Sequence, residues 1–180
     1  MKIIAIGVAN LTDARYFAAM GADWIGFSMG PDSPLSIEHV MAFADWVEGP
    51  EFFLDVRGRS EDQIAEMLGN FQAAGLLSDE GVALPHYAGK MITTYAHDDT
   101  NNDPTDILIY THRQWLERTP DVYSNVAEEE WVKACNKEEY QSLKRTTDMI
   151  SGIVVSGGEE QKVGIKSYED LDELIECIRD

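Results

Sequence analysis

Residues 152–158 read Gly-Ile-Val-Val-Ser-Gly-Gly, an apolar run that ends abruptly at a Ser-Gly-Gly turn. A buried strand of a parallel sheet has this continuous apolar pattern, without alternating polar residues. Glycine lets backbone amides approach a ligand closely, so Ser156, Gly157 and Gly158 form a candidate anion-binding turn. A plain connection from strand to helix is the alternative, because glycine-rich turns are common between elements. Ser167 then begins a predicted last helix.

The same kind of strand recurs along the chain and alternates with helical patterns. Amphipathic helices are predicted after the first three strands and the last, and shorter ones after the sixth and seventh. Strands that alternate with helices indicate a parallel sheet. The eight predicted strands occupy residues 3–8, 24–29, 52–56, 75–77 (or 81–84), 90–96, 106–110, 131–135 and 152–155.

Eight strands with intervening helices predict an α/β fold, a compact (β/α)8 TIM barrel that occupies residues 1–180 as a single domain. The chain is short for this fold, which typically takes about 250 residues. We therefore expect the fourth to sixth crossover segments, in the middle of the chain, to be shortened to loops or single turns. A doubly wound open sheet is the alternative architecture.

The composition argues against several classes of partner. The net charge is −19, from 14 basic and 33 acidic residues, whereas nucleic acid and anionic membranes both attract basic surfaces. No apolar run reaches the roughly 18 residues of a membrane span, and the first residues lack the plan of a signal peptide, so we expect a cytoplasmic protein. Cys135 and Cys177 form no Cys-x-x-Cys pair, and we predict no disulfide framework, structural zinc site or cofactor. An apolar flank left by the shortened crossovers would permit a homodimer.

Several stretches at the two ends of the chain are similar to a known family of enzymes. Residues 7–14 (Gly-Val-Ala-Asn-Leu-Thr-Asp-Ala), 21–27 (Gly-Ala-Asp-Trp-Ile-Gly-Phe) and 31–34 (Pro-Asp-Ser-Pro) resemble the opening of phosphoribosylanthranilate isomerase. Residues 152–160, with Gly-Ile-Lys at 164–166, are similar to that family's last strand, its phosphate-binding turn and the start of its last helix. The middle of the chain follows the family only in the order of elements. The resemblance implies the same barrel fold.

The resemblance also implies an Amadori rearrangement of a phosphorylated aminoaldose, in tryptophan biosynthesis, but the residues that perform it are replaced. The family's general base is a cysteine at the end of strand one, where this chain has Ile6. The arginine that holds the anthranilate carboxylate corresponds to Leu35, and the general acid, an aspartate at the end of strand six, to Tyr110. Isoleucine exchanges no proton, leucine cannot pair with a carboxylate, and neutral tyrosine is a poor acid near pH 7. We therefore predict that the isomerase activity has been lost.

The anion-binding residues are partly retained. Ser156, Gly157 and Gly158 keep the family's last turn, whereas its second glycine turn, after strand seven, is replaced by residues 133–136. Lys133 would supply a positive charge there if it faces inward. Our main hypothesis is a pseudoenzyme or binding protein for a small phosphorylated metabolite.

Polar residues at the predicted strand ends leave two other chemistries open. Asp55 and His97 would form a new acid/base pair, which predicts an active isomerase or lyase of different specificity. His97, His112 and Asp79 would instead ligate a metal ion. Polar strand ends also occur simply because they meet water.

For several bulky or acidic residues, a structural role is the alternative to a functional one. Ile6, Leu35 and Tyr110 would close the barrel mouth in a scaffold protein that binds no small molecule. We expect the tryptophans to be core or helix-cover residues, namely Trp46, Trp115 and Trp131, and the acidic residues 128–130 to lie in a solvated turn.

Overall fold

The structure is a computed structural model, and it describes residues 1–79, 82, 84, 86–95, 105–118, 127–143, 146–157 and 168–179. These residues form a closed barrel of eight strands in sequential order, with every neighbouring pair parallel. The predicted (β/α)8 barrel is confirmed. The doubly wound open sheet is wrong, because the first strand pairs with the last.

The strands are short and the helices surround them. The strands are β1 Lys2–Val8, β2 Trp24–Ser28, β3 Glu51–Asp55, β4 Gly75–Leu77, β5 Lys90–Thr94, β6 Thr105–Thr111, β7 Ala127–Lys133 and β8 Gly152–Ser156. The helices are α1 Leu11–Ala19, α2 Ile37–Ala44, α3 Glu61–Asn70, α4 His112–Glu117, α5 Lys137–Leu143 and α6 Glu169–Arg179, with a 3₁₀ turn at Thr147–Met149. None of the described helices is long and apolar enough to cross a membrane.

Side-chain caps begin several helices where the sequence indicates them. The Asn10 side chain accepts a hydrogen bond from the Asp13 amide at 2.8 Å, before α1. Ser60 and Gln63 form a reciprocal capping box at the start of α3. Each cap satisfies amides that the first helical turn leaves without a partner.

The crossovers in the middle of the chain are shortened, as expected. Between β4 and β5 the described residues form no helix. The helix between β6 and β7, α4, has only 6 residues. The segment between β5 and β6 lies almost entirely outside the described residues.

Large rings opposite glycines fill the barrel interior. Phe53 on β3 is the register partner of Gly26 on β2, and Trp131 on β7 is the register partner of Gly152 on β8. A Cβ atom would lie 2.1 Å from Phe53 Cζ at Gly26, and 2.2 Å from Trp131 Cζ3 at Gly152. Both rings belong to a buried interior cluster that is separate from the larger core between sheet and helices. The interior of the barrel is therefore packed with side chains.

Two structural predictions are wrong. The acidic residues 128–130 lie in β7, where Glu129 accepts a hydrogen bond from Trp131 Nε1 at 3.1 Å and Glu130 pairs with Arg118 at 2.9 Å. These partners satisfy the carboxylates, so a strand tolerates the acidic run. Trp46 is 67% exposed instead of buried, whereas Trp115 and Trp131 are buried as predicted.

Gly26→Ala should destabilise the fold by about 1–3 kcal/mol, because the added methyl group meets the ring of Phe53, which is fully buried. Gly69→Ala is the matched control, since a Cβ atom there meets nothing within 4 Å and alanine favours a helix over glycine by about 1 kcal/mol. Urea unfolding of both variants measures the two changes. A Gly26→Ala variant as stable as the parent protein would contradict this packing.

Candidate functional site at the barrel mouth

The carboxyl ends of the strands meet at one rim of the barrel, which we call the mouth. Alternate residues of a strand share a face, so residues two positions beyond the interior cluster face into the mouth. The interior cluster includes Ile4, Phe53, Ile92, Ile109, Trp131 and Val154. The mouth residues that follow them are Ile6, Asp55, Thr94, Thr111, Lys133 and Ser156.

Asp55 lies at the end of β3 and is held by Arg57, which follows it by two residues and which the sequence also places among the polar residues at the strand ends. Arg57 donates from Nε to Asp55 Oδ1 at 2.8 Å and from Nη2 to Oδ2 at 2.6 Å. The hydrogen bond to Asp55 raises the pKa of the Arg57 guanidinium, against the opposing effect of burial. The Asp55 side chain is only 11% exposed, and the guanidinium fork occupies both of its carboxylate oxygens. The sequence feature that indicates this ion pair is the Asp-x-Arg spacing at the end of a predicted strand.

The described residues bring no metal site together. Asp79 accepts a hydrogen bond from the Gly58 amide at 2.6 Å, and His112 Nε2 lies 2.6 Å from Ser142 Oγ. Among the residues that the structure describes, no group of three His, Cys, Asp or Glu side chains could hold a metal ion. His97, the other predicted metal ligand and the predicted partner of Asp55, lies outside them.

Lys133 faces the mouth from β7. It pairs in register with Thr111 on β6 and with Val154 on β8, two residues before Ser156. Within the described part of the chain, no carboxylate lies within 4.0 Å of its ammonium group. Ser156 and Gly157 are half-buried at the end of β8, whereas Gly158 lies outside the described residues. One side of the mouth therefore combines a lysine with the start of the glycine turn.

Ile6 and Leu35 occupy apolar surroundings. Ile6 packs against the interior cluster, at the base of the mouth. Leu35 is 9% exposed and belongs to the core between sheet and helices. Neither position offers a group that exchanges a proton or pairs with a carboxylate.

Tyr110 does not face the mouth, which corrects the expected correspondence with the family's acid. Its ring is fully buried on the outer side of β6, stacked on Tyr95 with 5.1 Å between ring centroids. Its hydroxyl donates to Glu130 Oε1 at 3.0 Å, and Glu130 pairs with Arg118. Burial and the charge of Glu130 raise the pKa of Tyr110.

Thr111 takes the inner position at the end of β6. Its hydroxyl caps α4, because it lies 3.3 Å from the Gln114 amide that donates to it. Three bulky side chains are expected from the sequence to close the mouth. Tyr110 and Leu35 lie in the outer core, and of the three Ile6 faces the mouth. The hypothesis that the three side chains together close the mouth is therefore wrong.

Comparisons with known proteins bear on this fold. No protein-family model matches the sequence, and no curated protein matches it either. Solved structures match over nearly the whole chain. Phosphoribosyl anthranilate isomerase from Thermus thermophilus has a TM-score of 0.72 at 17% sequence identity, covering 99% of this chain and 98% of that one. The fold is that of the phosphoribosylanthranilate isomerases.

Two further structures show how widely this architecture is shared. A phosphoribosyl anthranilate isomerase in complex with reduced 1-(o-carboxyphenylamino)-1-deoxyribulose 5-phosphate has a TM-score of 0.73 at 14% identity, covering 99% of this chain and 98% of that one. KGPDC from Streptococcus mutans has a TM-score of 0.59 at 13% identity, with the same coverage. At these identities the similarity establishes the fold alone.

Alkaline pH should reveal the phenols that the fold buries wholly or in part. Burial is the main cause that raises the pKa of Tyr16, Tyr87, Tyr110 and Tyr168. Unfolded tyrosine has a pKa of about 10, so their contribution to stability is complete below pH 10 and is lost as the pH rises above it. Absorbance at 295 nm should show these four of the 7 tyrosines ionising only with unfolding. Reversible ionisation of all of them near pH 10, with the circular dichroism spectrum intact, would contradict the burial.

Proposed function

We propose that this protein binds a small phosphorylated metabolite at the barrel mouth and has lost the isomerase activity of the enzymes whose fold it shares. The observation that carries the proposal is the position of Lys133. It lies on the inner face of β7, next to strand β8, which ends at Ser156 and is followed by Gly157.

An anion needs a local source of positive potential here, because the whole chain carries a net charge of −19. Lysine binds phosphate as a point charge, and the amides of a glycine turn add hydrogen-bond donors. Phosphate sites in such barrels are frequent in the loops after strands seven and eight. Lys133, Ser156, Gly157 and Gly158 are therefore the proposed phosphate subsite. The sugar 5-phosphate bound by an isomerase of the same fold supports this class of ligand.

The substitutions at three positions support the loss of isomerase activity. Ile6 has no proton to exchange, and Leu35 is buried in the outer core. Thr111, which takes the inner position at the end of β6, carries a hydroxyl that does not ionise near neutral pH. Among the described residues, these three positions supply no general base, general acid or carboxylate-binding group of the family's kind, so we infer a pseudoenzyme.

An enzyme of different specificity is the second candidate, favoured by the inward-facing carboxylate of Asp55. Before Asp55 could act as a base, the arginine fork of Arg57 would have to loosen, because it occupies both carboxylate oxygens. Isomerase or lyase turnover of a phosphorylated substrate, abolished by Asp55→Asn and by His97→Ala, would establish this alternative. Turnover that survives both substitutions would remove the acid/base pair.

Lys133→Ala should weaken binding of inorganic phosphate and of ribose 5-phosphate by about 10-fold or more, the loss expected for one charge-assisted hydrogen bond. Lys2→Ala is the matched control, since it removes the same charge at the opposite end of the barrel, where Lys2 is exposed. Calorimetry measures the affinities, and nuclear magnetic resonance follows the Gly157 amide. Equal weakening by both substitutions, or no shift at Gly157, would contradict the proposed subsite.

A further inference from the structure

A groove runs along the flank of the barrel beside α3, away from the mouth. Its volume is about 1010 Å³, and it lies between α3 and the described residues that precede β5. Its apolar wall consists of Leu68, Phe71, Leu84 and Tyr87, all only partly buried. Tyr87 is fixed there because its hydroxyl donates to the Ala73 carbonyl at 3.0 Å.

The groove lies where a barrel of this type usually carries a helix. Each strand of a (β/α)8 barrel is normally followed by a helix of the outer ring, but the described residues between β4 and β5 form none. The described residues therefore cover β5 poorly, and its outward residues Met91 and Thr93 are only half-buried. Within the part of the chain that the structure describes, the outer layer of helices is incomplete at this place.

The side of α3 that borders the groove is suited to close packing. Ala65 and Gly69 both line the groove and are exposed, one helical turn apart. A Cβ atom at Gly69 would meet nothing within 4 Å. Small residues at this spacing let a second helix axis approach closely, while the larger Leu68 and Phe71 provide apolar contact.

The charges at the groove indicate a basic occupant. Glu61 and Asp62 line its upper end, and Glu66 lies on the same helix. A second copy of this chain would not supply the complementary charge, because no described helix carries more basic than acidic residues. The occupant must bring its lysines or arginines from another protein.

We propose that this groove is the docking site for a basic amphipathic helix of a partner protein, which completes the outer layer of the barrel between α3 and β5. The helix α3 has 10 residues and is therefore about 15 Å long. A partner helix of similar length would place apolar residues at i, i+3, i+4 and i+7 against Leu68, Phe71 and Tyr87. Its lysines or arginines would lie beside Asp62.

A displayed library of helical peptides tests the proposal on the full chain. The peptides share a leucine stripe, and each flanking position carries Lys, Glu or Gln. We expect enrichment of lysine-rich peptides, whose binding is lost in Gly69→Trp because the indole fills the groove. Asp62→Lys should weaken the binding about 5-fold or more. The matched control Asp170→Lys reverses a charge at the second residue of α6 and should leave affinity unchanged within about 2-fold.

Several results would overturn the proposal. These are no enrichment, enrichment of acidic or uncharged peptides, or peptides that still bind Gly69→Trp. Equal weakening by Asp62→Lys and Asp170→Lys would indicate diffuse charge attraction instead of docking in the groove. A dimer in sedimentation that dissociates on Gly69→Trp substitution would identify the occupant as a second copy.

Discussion

The side chains that face the mouth of this barrel are determined by how its interior is packed. Phe53 needs the missing side chain of Gly26 on the neighbouring strand, and Trp131 needs that of Gly152. A slip of one residue in either strand pair would place each ring against a side chain, so these contacts fix the register. The same register fixes which side chains of β3 and β7 point inward. Asp55 is two residues beyond Phe53 and Lys133 is two residues beyond Trp131, so both face the mouth. Because β3 and β7 are opposite each other in an eight-stranded barrel, the acidic Asp55 and the basic Lys133 face the mouth from opposite sides.

This arrangement gives the two sides of the mouth different chemistry. The carboxylate of Asp55 is already neutralised by the two hydrogen bonds from Arg57. Lys133 has no such partner in the described part of the chain. An incoming anion would therefore find its counter-charge beside β7 and β8, despite the acidic surface of the whole protein. The groove beside α3 has the reverse character, with carboxylates above an apolar wall.

The order of strands and helices could be predicted from the sequence because the apolar runs and the helix caps are local features. The inner face of β6 could not be, since Ile107, Leu108, Ile109 and Tyr110 are buried on both sides of the sheet and show no alternation. Only the pairing of β6 with β7 shows that Thr111, and not Tyr110, faces inward. The ion pair of Glu130 with Arg118 likewise depends on a tertiary contact, which a local reading of the acidic run does not contain. The sequence predicts a role for Lys133 only if its side chain faces inward. The register of β7 with β6 and β8 shows that it does.

The central claim is that a phosphoribosylanthranilate isomerase fold persists here without the isomerase chemistry. The most direct measurement is the conversion of phosphoribosylanthranilate by the purified, folded protein, paired with complementation of a tryptophan auxotroph that lacks the isomerase. We expect no turnover and no growth, because Ile6 at the end of β1 and Thr111 at the end of β6 offer no group that exchanges a proton near neutral pH. Turnover together with growth would contradict the account and would mean that other groups at the mouth perform the reaction.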